Sequence, residues 1–288
     1  VMVEHNRDLF GDFQFVNRGD AAKMLEEALQ NPQGLKWYII PLFVIWLYLI
    51  VNEIKHKRYS VVFGAAAFWL WDVFNETWNS MVYATTGQPV WGTTAAGGSA
   101  LQILIGYNIE ISFMFFILGM MTCRMLKTTE GYEGEGFWDA NKNWLDDPNN
   151  IYYRANVLSK NLSPDERKTK RKAVLSRMAL IVGGSIAAVI IEILLNKCNV
   201  LTWEKPWWQP EFPFILFLIG YVPFYVAAVL IHDLPRKWQL VGLGCILAVV
   251  VILLIISGSL GMLGPQTDGN GNWIGKFCDG DNIIRLLQ

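Results

Sequence analysis

Six apolar stretches, each close to about twenty residues, constrain this chain more than any other feature, because each is long enough to cross a hydrocarbon core of about 30 Å as an α-helix. They lie at 35–54, 59–84, 100–126, 173–196, 212–231 and 238–257, with short charged segments between them. Lipid offers the backbone no hydrogen-bond partner, so spans of this kind fold as helices. The expected fold class is all-α: a polytopic integral membrane protein with six transmembrane helices. Composition agrees. Charged residues make up 17% of the chain, against about 25% in a soluble domain, and 53% are hydrophobic.

The basic residues set an expected orientation. Segment 55–58 holds Lys55, Lys57 and Arg58; segment 127–172 ends in Arg167, Lys168, Lys170, Arg171 and Lys172; segment 232–237 holds Arg236 and Lys237. Loop 85–99 is uncharged, and loop 197–211 has only Lys197 and Lys205 as bases. The expected organisation is therefore an extracytoplasmic segment 1–34, helices one to three over 35–126, a cytoplasmic loop 127–172, helices four to six over 173–258 and an extracytoplasmic tail 259–288. Segment 1–34 is polar and has no basic stretch leading into an apolar core, so the first apolar run is expected to serve as the insertion signal. Within it, 21–30 reads as an amphipathic helix with Met24, Leu25 and Leu29 on one face. Ser163-Pro164-Asp165-Glu166 reads as a helix start, with Ser as cap and Pro at the first helical position. That helix continues into the fourth span as a basic stalk facing anionic headgroups. Asn270-Gly271 suggests a turn in the tail.

Several function classes drop out. A formal net charge of −1 provides no field for nucleic acid. Four cysteines without a CxxC pair and three scattered histidines, His5, His56 and His232, give no zinc or haem site, no metal ligands are assigned, and the cofactor is unknown from sequence. Two calcium-loop-like stretches carry Trp144 and Trp273 where the loop needs glycine. No P-loop, dinucleotide fingerprint or hydrolase motif is present. Cys198 and Cys278 fall on the oxidising side of the expected topology, which favours a disulfide between them. The expected partners are membrane lipid, a hydrophobic small molecule, and other chains of an oligomer or complex.

The second and third spans resemble the fourth and fifth. Glu76 is followed by Pro89-Val90-Trp91 and then Ile103-Leu104-Ile105-Gly106-Tyr107; Glu192 is followed by Pro206-Trp207 and then Phe217-Leu218-Ile219-Gly220-Tyr221. A parallel repeat of this kind places a site at its interface, although apolar sequence can also produce so short a match by chance. Both readings stand.

Polar residues sit inside the spans. Asp72, Asn75, Glu76 and Asn79 fall at i, i+3, i+4 and i+7 and form one helical stripe flanked by Trp71 and Trp78. Gln102, Gly106 and Glu110 make a second stripe, and Ser185, Glu192 and Asn196 a third. Ionisable groups at such depth cost at least about 2.5 kcal/mol each, so they face a bundle interior or a wet cavity. No Lys or Arg shares their depth. These acids cannot all be ionised: either some carry a proton or a cation completes the site. Helix–helix hydrogen bonding accounts for Asn75, Asn79, Asn108 and Asn196 without any function. For Asp72, Glu76 and Glu110 a titrating role is the better account.

Two readings of function follow. An intramembrane enzyme would use Asp72 or Glu76 as a carboxylic acid, with Glu110 as partner, on an apolar lipid or isoprenoid substrate. Asn75, Asn79, Glu192, Trp71, Trp78, Tyr107 and Tyr221 would contact that substrate, aromatic faces stabilising a carbocation. A proton- or cation-coupled transporter or channel would use the same acids along a path, but its inner half shows few polar residues in sequence. A subunit of a larger membrane assembly is a third case.

Overall fold

A computed structural model describes residues 29, 36–93, 101–126, 164–198 and 200–266. The helix expected at 21–30 apart from Leu29, the loop before Pro164, the turn at Asn270-Gly271 and Cys278 lie outside the described residues. The helices are α1 (Ile39–Lys55), α2 (Tyr59–Thr86), α3 (Ile109–Arg124), α4 (Pro164–Lys197) and α6 (Arg236–Ser259). Between α4 and α6, a short turn Pro213–Ile215, a π-helical turn Leu216–Tyr221 and an α-helix Val222–Asp233 form one continuous segment, here α5. Three segments, Val174–Lys197, Pro213–Asp233 and Arg236–Ser259, are long and apolar enough to cross a membrane by length and composition.

α2 is the central helix, packed against α3, α5 and α6. Small residues allow these close approaches. A Cβ on Gly64 would lie 3.0 Å from the Ala228 carbonyl, and one on Gly119 would lie 2.8 Å from Phe68 Cβ. Around them Val61, Ala65, Phe68, Phe116, Met120, Phe224, Tyr225 and Ala228 form a buried apolar core. The end of α2 is set by Gly87, whose φ of 72° suits glycine and whose N–H caps the Tyr83 carbonyl at 2.8 Å. α4 starts at Pro164, where the capping pattern expects it. The π turn in α5 has a local cause. Pro223 offers no N–H to the Ile219 carbonyl and crowds it, so the chain widens just before the proline.

The third span departs from expectation. Residues 100–126 are not one helix: β2 (Gln102–Leu104) folds back on β3 (Tyr107–Asn108), and α3 begins only at Ile109. Asn108 stops the helix from extending backwards, since its extended backbone and its side chain, accepting from Ile111 N at 2.8 Å, make it the N-cap. Gln102 satisfies its amide locally on the carbonyls of Leu104 (2.8 Å) and Ile105 (3.1 Å). Gln102, Gly106 and Glu110 therefore do not share a helical stripe. Gln102 also forms a bridge with Leu29.

The all-α expectation needs a second amendment. The loop after α2 contributes β1 (Trp91–Thr93) and the loop after α4 contributes β4 (Leu201–Trp203), and these pair antiparallel with Trp91 opposite Trp203. The fold is mostly helical with two small two-stranded sheets. Cys198 is exposed and forms no disulfide.

Candidate functional site

The site begins on α2, where helical spacing puts Asp72, Glu76 and Asn79 on one buried face. Asn79 works as a bracket. Its Oδ1 accepts from Val90 N at 2.7 Å and its Nδ2 donates to the Trp91 carbonyl at 2.8 Å. That holds the start of β1 against α2, so the Trp91 indole reaches Glu76 and Nε1 donates to Oε1 at 2.7 Å. The β2–β3 turn closes the other side. A side chain at Gly106 would strike the Glu76 carboxylate and come within 2.8 Å of Asn79 Nδ2. Only glycine allows the backbone to lie so close.

α4 supplies the third acid. Glu192 Oε1 accepts from Trp203 Nε1 at 2.9 Å and Trp208 Nε1 at 3.3 Å, and the carboxyl also bonds the Tyr221 hydroxyl at the end of the π turn. Asn196 pins this loop as Asn79 pins the other, donating to the Leu201 carbonyl at 3.1 Å. Gly220 lies beneath the Trp208 ring, 3.1 Å from where a Cβ would stand. Overhead, ring centroids run Trp78 to Trp91 at 6.0 Å, Trp91 to Trp208 at 5.0 Å and Trp208 to Trp207 at 5.8 Å.

These acids form one electrostatic group. Asp72 and Glu76 act on each other, Glu192 acts on Glu76, and both Tyr107 and Tyr221 feel Asp72. The Tyr107 hydroxyl accepts from Trp69 Nε1 at 2.9 Å. Among the described residues, the donors to the Glu76 and Glu192 carboxyls are neutral indole, amide and hydroxyl groups. Glu76 Oε2 and Asp72 Oδ2 are buried with no hydrogen-bond partner among the described residues. Among those residues, no three His, Cys, Asp or Glu side chains are grouped to hold a metal ion.

Asp72, Glu76, Glu192, Tyr107 and Tyr221 thus come together, with Asn79 beside them. Glu110 does not join them. It sits at the start of α3, half-buried, accepting from the Tyr38 hydroxyl, and is not among the groups that act on Asp72 or Glu76. The shift follows from the β2–β3 turn, which takes the place of the helical turns expected to align it. Asn75 is half-buried, Trp71 stacks on Phe74 with centroids 5.4 Å apart, and Trp78 is 37% exposed.

A second polar layer lies at the opposite end of α2. Glu53, fully buried, takes Arg58 at 2.5 Å and Arg124 at 3.4 Å. Arg177 pairs with Asp233 through two contacts, 2.5 and 3.1 Å, and Asp233 also meets His232 Nδ1 at 3.0 Å. Arg236 bonds Gln239 and lies over the rings of Tyr59 and Phe63, 5.3 and 5.0 Å from their centroids. Sequence reasoning missed this layer. Its bases look like orientation signals at helix ends, and Arg177 lies 56 residues from its partner Asp233 in sequence. The other miss is the pairing of the Trp203 and Trp208 indoles with Glu192, since interfacial tryptophan is common without such a role.

The sequence matches the family described as "Uncharacterized membrane protein family" over residues 19–135 and 153–259. It is also 35% identical over 235 residues to an "Uncharacterized protein" of Archaeoglobus fulgidus, an alignment covering 81% of this chain and 92% of that one. No solved structure matches. The chain belongs to this membrane protein family.

Proposed function

We propose that this membrane protein spans the bilayer with six helices, both termini on the non-cytoplasmic side, and works as an intramembrane acid catalyst on an apolar lipid or isoprenoid substrate. One observation carries the reading: Asp72, Glu76 and Glu192 are buried together, the donors to Glu76 and Glu192 are neutral, and two carboxyl oxygens have no partner among the described residues. Buried carboxylates normally meet a cation or several donors. A carboxyl that carries a proton removes that cost and is equipped to give the proton away. Glu76 or Asp72 protonates a substrate double bond; the proton moves to carbon and the carboxylate remains. The carboxylate is held by Trp91 Nε1, and the substrate cation meets the ring faces of Trp71, Trp78, Tyr107 and Tyr221. Loss of a proton from the neighbouring carbon restores the acid. Asn79 positions Trp91 through β1, Asn75 borders the same stripe, and Glu192 takes the partner role first expected of Glu110.

The internal repeat gains support from the same geometry. In each unit a glutamate accepts an indole N–H from the loop that follows it, and an Ile-Gly-Tyr stretch packs beneath that indole or its carboxylate. The transporter reading gains one observation as well, the second buried polar layer with Arg177, His232 and Asp233. The Phe68, Phe115, Phe224 and Tyr225 rings lie between the two layers and count against an open path.

The decisive experiment uses Glu76→Gln in protein reconstituted with native lipid extract, reading lipid conversion by mass spectrometry and solute flux in the same vesicles. Gln keeps the shape and accepts from Trp91 but cannot supply a proton. The enzyme reading expects conversion to fall about 100-fold or more with the fold intact. Conversion absent in the native protein but flux lost in the variant assigns a carrier. Unchanged behaviour in both leaves the acids as helix–helix contacts.

A further inference from the structure

Two buried polar atoms are not used by the acid site. Ser185 Oγ on α4 and His232 Nε2 on α5 have no hydrogen-bond partner among the described residues, with residue exposures of 0% and 2%. Both belong to a stripe that begins at the acids. On α5, Tyr221, Tyr225, Ala228 and His232 recur every three or four residues and so share a face. On α4, Arg177 and Gly184 are seven residues apart, as are Ser185 and Glu192, so each pair shares a face.

The upper part of the stripe is in contact. Glu192 bonds the Tyr221 hydroxyl, and Tyr221 interacts in turn with Tyr225. Tyr225 lies directly on α4: a Cβ at Gly184 would stand 2.6 Å from its hydroxyl-bearing carbon. The ring has room only because residue 184 is glycine, and Ser185 follows it. The lower part is built from small residues and one thiol. Gly64 and Ala228 leave backbone facing backbone, and a side chain at Gly64 would strike Cys123 Sγ and lie 3.2 Å from His232 Cβ. His232 is then fixed from several sides. Nδ1 meets Asp233 at 3.0 Å, Asp233 is held by Arg177, and Gln239 donates to the His232 carbonyl at 2.8 Å while Arg236 holds Gln239.

We propose that this stripe is a proton route, His232 being the group that exchanges protons with the aqueous face at the Arg177–Asp233 end. It rests on the reading that Asp72 and Glu76 are proton donors, and it supplies the aqueous face with which their resting protonation state equilibrates. His232 takes a proton at Nδ1 from the Asp233 side and releases the one on Nε2 toward Tyr225, and the ring returns by exchanging tautomers. Each hydroxyl then takes a proton on oxygen and gives up its own, through Tyr221, to the Glu192, Asp72 and Glu76 carboxyls. Seven residues of helix separate Tyr225 from His232, about 10 Å, so a water beside Cys123 and Ser185 completes the transfer.

Hydrogen–deuterium exchange of the protonated carboxyl, followed by its infrared carbonyl band in reconstituted protein, tests the route separately from the reaction. The native protein should show a band that shifts on transfer to D2O. Tyr225→Phe, which keeps the ring packing, and His232→Gln should each slow that shift about tenfold or more, the change a barrier rise of about 1.4 kcal/mol produces. The control Leu247→Ala, on the exposed face of α6, should leave it alone. A band that shifts at the native rate in Tyr225→Phe overturns the route and leaves the acid reading standing, even if His232→Gln does not fold. Absence of any protonated-carboxyl band in the native protein overturns both.

Discussion

The two polar layers bury their carboxylates to much the same degree and solve the cost in opposite ways. Around Glu53 and Asp233, each carboxylate meets a guanidinium, with contacts down to 2.5 Å. In the other layer, Glu76 and Glu192 meet indole, amide and hydroxyl donors, and Asp72 Oδ2 meets none among the described residues. A buried ion pair, once formed, is rigid and holds its protonation state, because losing either partner leaves an uncompensated charge. An acid surrounded by neutral donors can change state without breaking a pair. The paired layer suits anchoring and the unpaired layer suits chemistry.

The largest effect should come from breaking a pair. Asp233→Ala removes the buried carboxylate paired with Arg177, which is 5% exposed, and should cost about 3–5 kcal/mol. Denaturant or thermal unfolding in detergent measures this. A loss below about 1 kcal/mol would mean that water reaches Arg177 and that the layer is not sealed. Next in size is Gly106→Ala. The new methyl would overlap the Glu76 carboxylate and crowd Asn79, so a loss of about 1–3 kcal/mol is expected, with activity falling alongside. Full stability in this variant would show that the β2–β3 turn can lift away from the acids. Asn79→Ala removes the two bonds that pin β1 and should cost about 1–3 kcal/mol. It should also slow turnover more than it weakens the fold, because Trp91 then loses its place over Glu76. Asn79→Asp, which keeps the acceptor for Val90 N, should recover part of the stability but not the donor to the Trp91 carbonyl.

The contrast between the layers was half legible in the sequence. Apolar runs marked where helices lie because lipid leaves no other choice, and the spacing of Asp72, Glu76 and Asn79 put them on one face through helix geometry alone. Glu110 was misplaced for a related reason. Residues 100–126 are apolar throughout, and periodicity cannot tell a strand turn from the first turns of a helix in such a run. The cap at Asn108 was the signal that could have corrected it. The union of Glu192 with Glu76 depends on β1 pairing with β4 across more than a hundred residues of sequence, and only the suspected repeat hinted at it. The Arg177–Asp233 pair was hidden behind the use of basic residues as orientation markers.

The smallest expected effect is also the one that reads charge most directly. Trp91→Phe removes the indole N–H from Glu76 and keeps an aromatic ring between Trp78 and Trp208. The bond it deletes is worth about 0.5–1.5 kcal/mol if the acceptor is a neutral acid and about 1.5–3 kcal/mol if it is a carboxylate. The proton-donor reading therefore expects a loss near the lower range, and an equal one in the Glu76→Gln background, where the acceptor is always neutral. A double-mutant cycle between Trp91→Phe and Glu76→Gln compares the two. A coupling near zero means that the indole bonds a neutral group in both proteins. A coupling of about 2 kcal/mol means that Glu76 is ionised at rest, which would move the reactive proton to Asp72 and make Glu76 the anion that holds the substrate cation.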